Sequence, residues 1–156
     1  MAKDRKKTYK LLDVNQVLVD LEDKPLTTIS HVSFATVVVE MQNAKEDEWK
    51  DIFKKASEDL KDITLGFVLL KHLTEAGTSE ENLTDDEKIL AWDVGRKIGL
   101  HKSKQPIALS MRQYNLLKKI IDKGTVKRGD KYVALFGIVI SVPVKEMVDA
   151  AEQIKK

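Results

Sequence analysis

The chain contains no cysteine, which excludes disulfides, thiolate metal sites and cysteine nucleophiles together and fits an intracellular protein. Long apolar runs are missing too. The longest, YVALFGIVISV from Tyr132 to Val142, has eleven residues against the roughly 20 needed to cross a bilayer, and it reads as a buried core segment. The basic start MAKDRKKTYK leads into no apolar stretch, so no secretory signal is expected. The motifs G-x-x-x-x-G-K-[ST], G-x-G-x-x-G and G-x-S-x-G are absent, and with them the sequence signatures of phosphate-cradling loops and nucleophile elbows. The three histidines, His31, His72 and His101, share no i,i+4 spacing that would set two of them on one helical face for a metal. No cofactor, metal site, membrane association or small-molecule substrate is expected.

What is present suits one soluble globular unit. The 156 residues are 42% hydrophobic and 33% charged, enough apolar material for one real core and too short for two ordinary domains. Residues 1–10 read as a basic N-terminal arm and 11–156 as a single globular domain.

The net charge is only +2, yet it is unevenly spread. Residues 40–95 hold seven basic and fifteen acidic side chains, and 96–131 hold eleven and two. An acidic middle thus precedes a strongly basic segment.

The opening, TYKLLDVNQVLVDLEDKPLTTI, carries Val- and Leu-rich runs broken at Asp13–Asn15 and Glu22–Pro25. This predicts a small hairpin or two short strands, with EDKP as a turn in which proline presets φ. Residues 31–42, HVSFATVVVEMQ, fit a strand by β-branching and a helix by spacing. Helices dominate thereafter. Trp49, Ile52, Phe53, Ala56 and Leu60 fall at helical intervals. Asp62 or Thr64 caps a helix that stops at Gly77. Thr84 and Glu87 form a T-x-x-E capping box, and Ser110 and Gln113 repeat it as S-x-x-Q. The run 132–142 is strand or helix, Pro143 suits a first helical position, and Val144 to Ile154 predict a terminal helix. The expected fold class is α+β, a helix-dominated single domain with a small N-terminal β-hairpin or short strands.

Acidic clusters at Glu46–Glu48 and Asp85–Glu87 stand where helices begin, and the helix dipole accounts for them. Asn82-Leu83-Thr84 matches a glycosylation sequon and Arg128-Gly129-Asp130 an adhesion tripeptide; capping and turn formation explain both. The basic segment is the sharpest feature. Cations in the last turn of a helix are locally stabilising, which covers about half of its positives. Lys102, Lys104, Lys127, Arg128 and Lys131, assigned to loops, need solvent, an acidic protein or phosphate. A single-strand binder also needs exposed aromatic platforms, and Tyr114, the one aromatic between Arg96 and Lys131, has the spacing of a buried residue.

Four pieces in order, VLVDLEDKPL (17–26), ITLGFVLLKHL (63–73), LTDDEKILAWDVGRKI (83–98) and LLKKIIDKG (116–124), resemble small, poorly characterised accessory proteins of tailed bacteriophages. The resemblance covers about half the chain, and this sequence adds a long segment near 31–62. It implies a viral accessory or virion-assembly protein without enzymatic activity and supplies no functional residue.

The sequence therefore points to a non-enzymatic protein-interaction or assembly protein, phage-encoded and located in the host cytoplasm or virion. Its partner is another protein or copies of itself. The expected contact residues are Lys102, Lys104, Lys127, Arg128 and Lys131 against Glu80, Glu81, Asp85 and Asp86. The alternative is a nucleic-acid-associated protein gripping phosphates through 96–131.

Overall fold

Leu18, the inward residue of the alternating VLV at 17–19, has no exposed surface, while Val17 and Val19 on either side are more than a third exposed. A period of two forces this division, because successive side chains of an extended chain point to opposite faces. The computed structural model describes residues 6–28, 31–78, 83–122, 125–128, 131–134 and 138–156, with backbone alone at 31–34, 75–78, 125–128, 131–134 and 138–139. The elements run β1 (Thr8–Leu12), β2 (Thr27–Thr28), α1 (His31–Asn43), α2 (Trp49–Ser57), β3 (Lys61–Asp62), α3 (Leu65–Thr78), α4 (Asp85–Gly99), β4 (Ile107–Ser110), α5 (Met111–Asp122), β5 (Thr125–Arg128), β6 (Lys131–Ala134), α6 (Ile138–Asp149) and β7 (Glu152–Lys155). The fold is α+β, dominated by helices, with short strands at the N-terminal end. Strand β1 begins at Thr8, so it takes in the last three residues of the expected basic arm.

Strand β1 is the centre of a three-stranded antiparallel sheet in the order β4-β1-β7. Leu12 pairs with Ile107, and Tyr9 pairs with both Ser110 and Ile154. Helices α3, α4, α5 and α6 pack with this sheet around one core. The fully covered side chains are Leu12, Leu18, Leu65, Leu69, Leu109 and Leu117, with Val68, Val94, Val144 and Val148. Helix α5 supplies the most central face, burying Tyr114, Leu117, Ile120 and Ile121. The Tyr114 hydroxyl donates to the carbonyl of Val148 at 2.8 Å, so its polar tip is satisfied inside the core.

Caps appear where the sequence places them. Thr64 Oγ1 accepts from the N–H of Phe67 and Thr84 Oγ1 from that of Glu87, each at 3.2 Å. Ser110 and Gln113 form the reciprocal box at 3.2 and 3.0 Å. The N-terminal turn is real as well. Asp20 Oδ1 accepts from the N–H groups of Glu22 and Lys24 at 2.8 and 3.0 Å. Asp23 takes a φ of 62°, the left-handed conformation that aspartate tolerates better than most side chains.

Residues 31–42, which fit either a strand or a helix by sequence, are helical, within α1. Two expectations are corrected. Lys127, Arg128 and Lys131 lie on paired strands rather than in a loop: Lys127 and Arg128 on β5 and Lys131 on β6, with Arg128 opposite Lys131. At the C-terminal end, Pro143 is inside α6, not at its start, and the helix stops at Asp149. Ile154 belongs to strand β7. A stripe at positions 144, 147, 148 and 151 satisfies a helix, but the free edge of β1 offers main-chain partners for the last residues.

One part stands outside this core. Strands β2 and β3 pair, Thr27 with Asp62 and Thr28 with Lys61, and between them α1 and α2 form a helical hairpin whose main packing is on itself. The Trp49 indole N–H donates to the carbonyl of Met41 at 3.2 Å, tying the two helices together.

Candidate interaction surfaces

The basic segment divides into cations held by the body and cations left free. Lys97 Nζ donates to the carbonyl of Ala108 at 2.7 Å and to Gln113 Oε1 at 3.4 Å, joining α4 to β4 and the α5 cap. Lys118 pairs with Asp149 at 2.9 Å, and this hydrogen bond holds its ammonium above the usual lysine pKa. Lys119 binds both carboxylate oxygens of Glu87 at 2.8 Å. Among the described residues Arg96, Lys102, Lys104 and Arg112 are exposed and carry no ion pair.

Lys102 and Lys104 lie in a short loop between α4 and β4 that is fastened internally. Asn15 Nδ2 donates to the carbonyl of Ser103 at 3.0 Å, Ser103 Oγ accepts from the N–H of Gln105 at 2.9 Å, and a His101 ring nitrogen meets the carbonyl of Gln105 at 2.6 Å. The two lysines are thus presented on an ordered frame.

Of the acidic residues expected to oppose them, Asp85 and Asp86 open α4. Glu80 and Glu81 lie outside the described residues, as do the side chains of Lys127, Arg128 and Lys131. Asp85 and Asp86 stand at one end of α4 and Lys102 and Lys104 beyond the other, a helix of 15 residues apart, or about 22 Å at 1.5 Å per residue. These two sets cannot meet within one chain. Lys119 and Glu87 do join the acidic and basic blocks internally.

Sequence periodicity missed the apolar part of the surface. Helix α4 buries Ala91, Val94 and Ile98 but leaves Ile89, Trp92 and, just past its end, Leu100 at 63, 66 and 64% exposure. With Arg96 these residues form a stripe at i, i+3, i+7 and i+11, on the side opposite the core. The signal was present: Ile89 and Trp92 are out of phase with the buried set. Helix α2 buries no residue at all. Phe53 is 54% exposed and Val39 of α1 56%, with Leu60 and Val38 also open to solvent.

Beside the α4 stripe, Asp86, Ile89, Leu90, Asp93 and Arg112 line a shallow cleft of about 220 Å³. That is below the roughly 300 Å³ at which ligand pockets begin. His72 is the buried polar residue of the described core, and burial pushes its imidazole pKa below the usual 6.5. Among the described residues no buried side-chain nitrogen or oxygen lacks a hydrogen-bond partner, no cluster of three carboxylates or histidines could hold a metal ion, and no helix is long and apolar enough to cross a membrane. No protein-family model matches this chain, and searches of curated proteins and of solved structures give no significant match.

Proposed function

We propose that the chain is a non-enzymatic protein-interaction or assembly protein, phage-encoded as a virion or accessory component. The observation that carries this reading is the α1–α2 hairpin, which exposes Phe53, Val39 and Leu60 while its helices pack mainly on each other. Large apolar side chains left in solvent on one small subunit of the fold offer a surface that a partner can cover. Here it belongs to an insertion on a two-stranded stem, so binding can proceed without disturbing the core. The resemblance to phage accessory proteins supplies the setting.

The test is a photoreactive phenylalanine at position 53, irradiated in producing cells. The reading expects a discrete adduct with a protein, weakened by Val39→Glu. No protein adduct, or adducts with nucleic acid alone, would sink it.

The phosphate-binding alternative gains one observation. Trp92 is two-thirds exposed with Arg96 a turn further along the helix, giving the stacking platform that Tyr114 could not provide. Asp85, Asp86 and Asp93 flank the same stripe and repel phosphate, so protein contact is the better reading. A steep log–log salt dependence for a short single strand, lost in Trp92→Ala, would reverse that ranking.

A further inference from the structure

Phe53 on α2 and the apolar stripe of α4 are exposed on helices whose charges complement each other. We propose that α2 of one copy docks antiparallel on the α4 stripe of a second copy, so that the protein assembles head to tail through these two helices. The inference rests on the interaction reading above and names its partner.

Helix α2 is entered through Glu46, Asp47 and Glu48 and ends with Lys54 and Lys55. Helix α4 opens with Asp85 and Asp86 and ends with Arg96 and Lys97, the exposed Lys102 and Lys104 following. Each pattern follows the helix dipole, which favours acids at the N-terminus and bases at the C-terminus. An antiparallel pair of such helices therefore sets acid against base at both ends, whereas a parallel pair sets like against like. The charges choose the direction; the apolar residues choose the pair.

The dimensions agree. Asp47 to Lys55 spans about 12 Å of helix and Asp86 to Arg96 about 15 Å, so both charged ends engage while Phe53 lies over Ile89 and Trp92. The acid-lined cleft of Asp86 and Asp93 then stands where Lys54 or Lys55 arrives. Among the described residues none of Asp47, Lys54, Lys55, Asp86, Asp93 and Arg96 has an ion pair within the chain, so these groups remain available to a neighbour.

Because α2 meets α4 rather than another α2, the contact is heterologous. Each bound copy keeps one free α2 and one free α4, and growth continues to a ring or a filament. The pairing differs from the acidic 80–86 and basic 127–131 surfaces expected from sequence. It keeps Lys102, Lys104, Asp85 and Asp86, and recruits the inserted hairpin as the other half.

The experiment is light scattering on the full chain over a concentration series, with Phe53→Glu and Trp92→Glu. Both positions are exposed, and unchanged circular dichroism and melting verify folding. Wild type should associate with rising concentration, and each variant alone should dissociate about tenfold more easily or stay monomeric. An equimolar mixture of the two should form a dimer and nothing larger, since it retains one intact α2 and one intact α4. Arg96→Glu should likewise weaken association and be partly restored by Asp47→Lys. A wild type monomeric throughout its soluble range overturns the proposal, and so does a mixture that fails to dimerise. If the wild type is monomeric while position 53 still cross-links to a different protein, self-contact is wrong and the interaction reading stands. If neither occurs, both fall.

Discussion

Lys119 holds Glu87 by both carboxylate oxygens at 2.8 Å, fastening α5 to the first turn of α4. The pair is partly buried, at 39 and 27% side-chain exposure, so solvent screens it less than a fully exposed pair. A double-mutant cycle of Lys119→Met and Glu87→Gln should show a coupling of about 1 kcal/mol by urea unfolding. Self-association should be unaffected, because this lysine is spent inside the chain. A change in association with Lys119→Met would mean that it faces a partner after all.

Two apolar truncations should separate stability from binding. Leu69 is fully covered in the core, and Leu69→Ala should cost about 2–5 kcal/mol. Phe53 is largely in solvent, and Phe53→Ala should lie within about 0.5 kcal/mol of wild type while weakening association. Equilibrium denaturation and light scattering on the same samples read both. A large stability loss for Phe53→Ala would place it in a packed contact within the monomer.

Helix propensity gives the wrong sign at Gly66. Alanine is favoured over glycine in a helix by about 1 kcal/mol, yet a Cβ at Gly66 would stand 3.0 Å from the carbonyl oxygen and 3.2 Å from the Cβ of Val14. The same carbonyl accepts the Gly66 N–H at 2.8 Å, so it cannot retreat without loosening that bond. Gly66→Ala should lower the melting temperature, and a rise would refute the close approach.

Acid should weaken the fold through His72. Burial depresses its folded-state pKa below 6.5, so the neutral ring is preferred in the native state. Above the unfolded value both states are neutral and nothing changes. As pH falls below 6.5, the unfolded chain takes up a proton that the native state resists, and stability declines until the folded pKa is passed. His72→Met should flatten the loss of melting temperature between pH 7 and 5. Parallel curves for the two proteins would assign that acid sensitivity elsewhere.

Helix caps were readable because each is a local device: Thr84 and Ser110 need only residues three positions on. The amphipathic spacing of α2 was equally readable, but not the fact that Phe53 stays largely in solvent while α1 covers part of the same face. Periodicity reports that a face wants burial, not whether the monomer supplies a neighbour. Strand β4 escaped notice because IALS is four residues long and pairs with a strand about 100 positions away, information no window contains. The phase of Trp92 sets it apart from Val94 and Ile98, so its outward position is legible in the spacing. The basic segment was visible as composition. Which of its cations the body consumes depended on Glu87, Asp149 and Ala108, all placed by tertiary structure.

The middle strand of the principal sheet has a further consequence, for the order of events in folding. Strand β1 receives its neighbours from residues 107–110 and 152–155, and the backbone of Lys7 bonds that of Lys156 in both directions, at 2.7 and 3.0 Å. During synthesis, which adds residues in sequence, α3, α4 and α5 can form and begin to pack before β7 exists. Strand β1 must wait for β7, and such distant closures are slow because chain entropy opposes them. Until β7 arrives, β1 carries an open edge, and an emerging chain is then most exposed to pairing with the wrong strand.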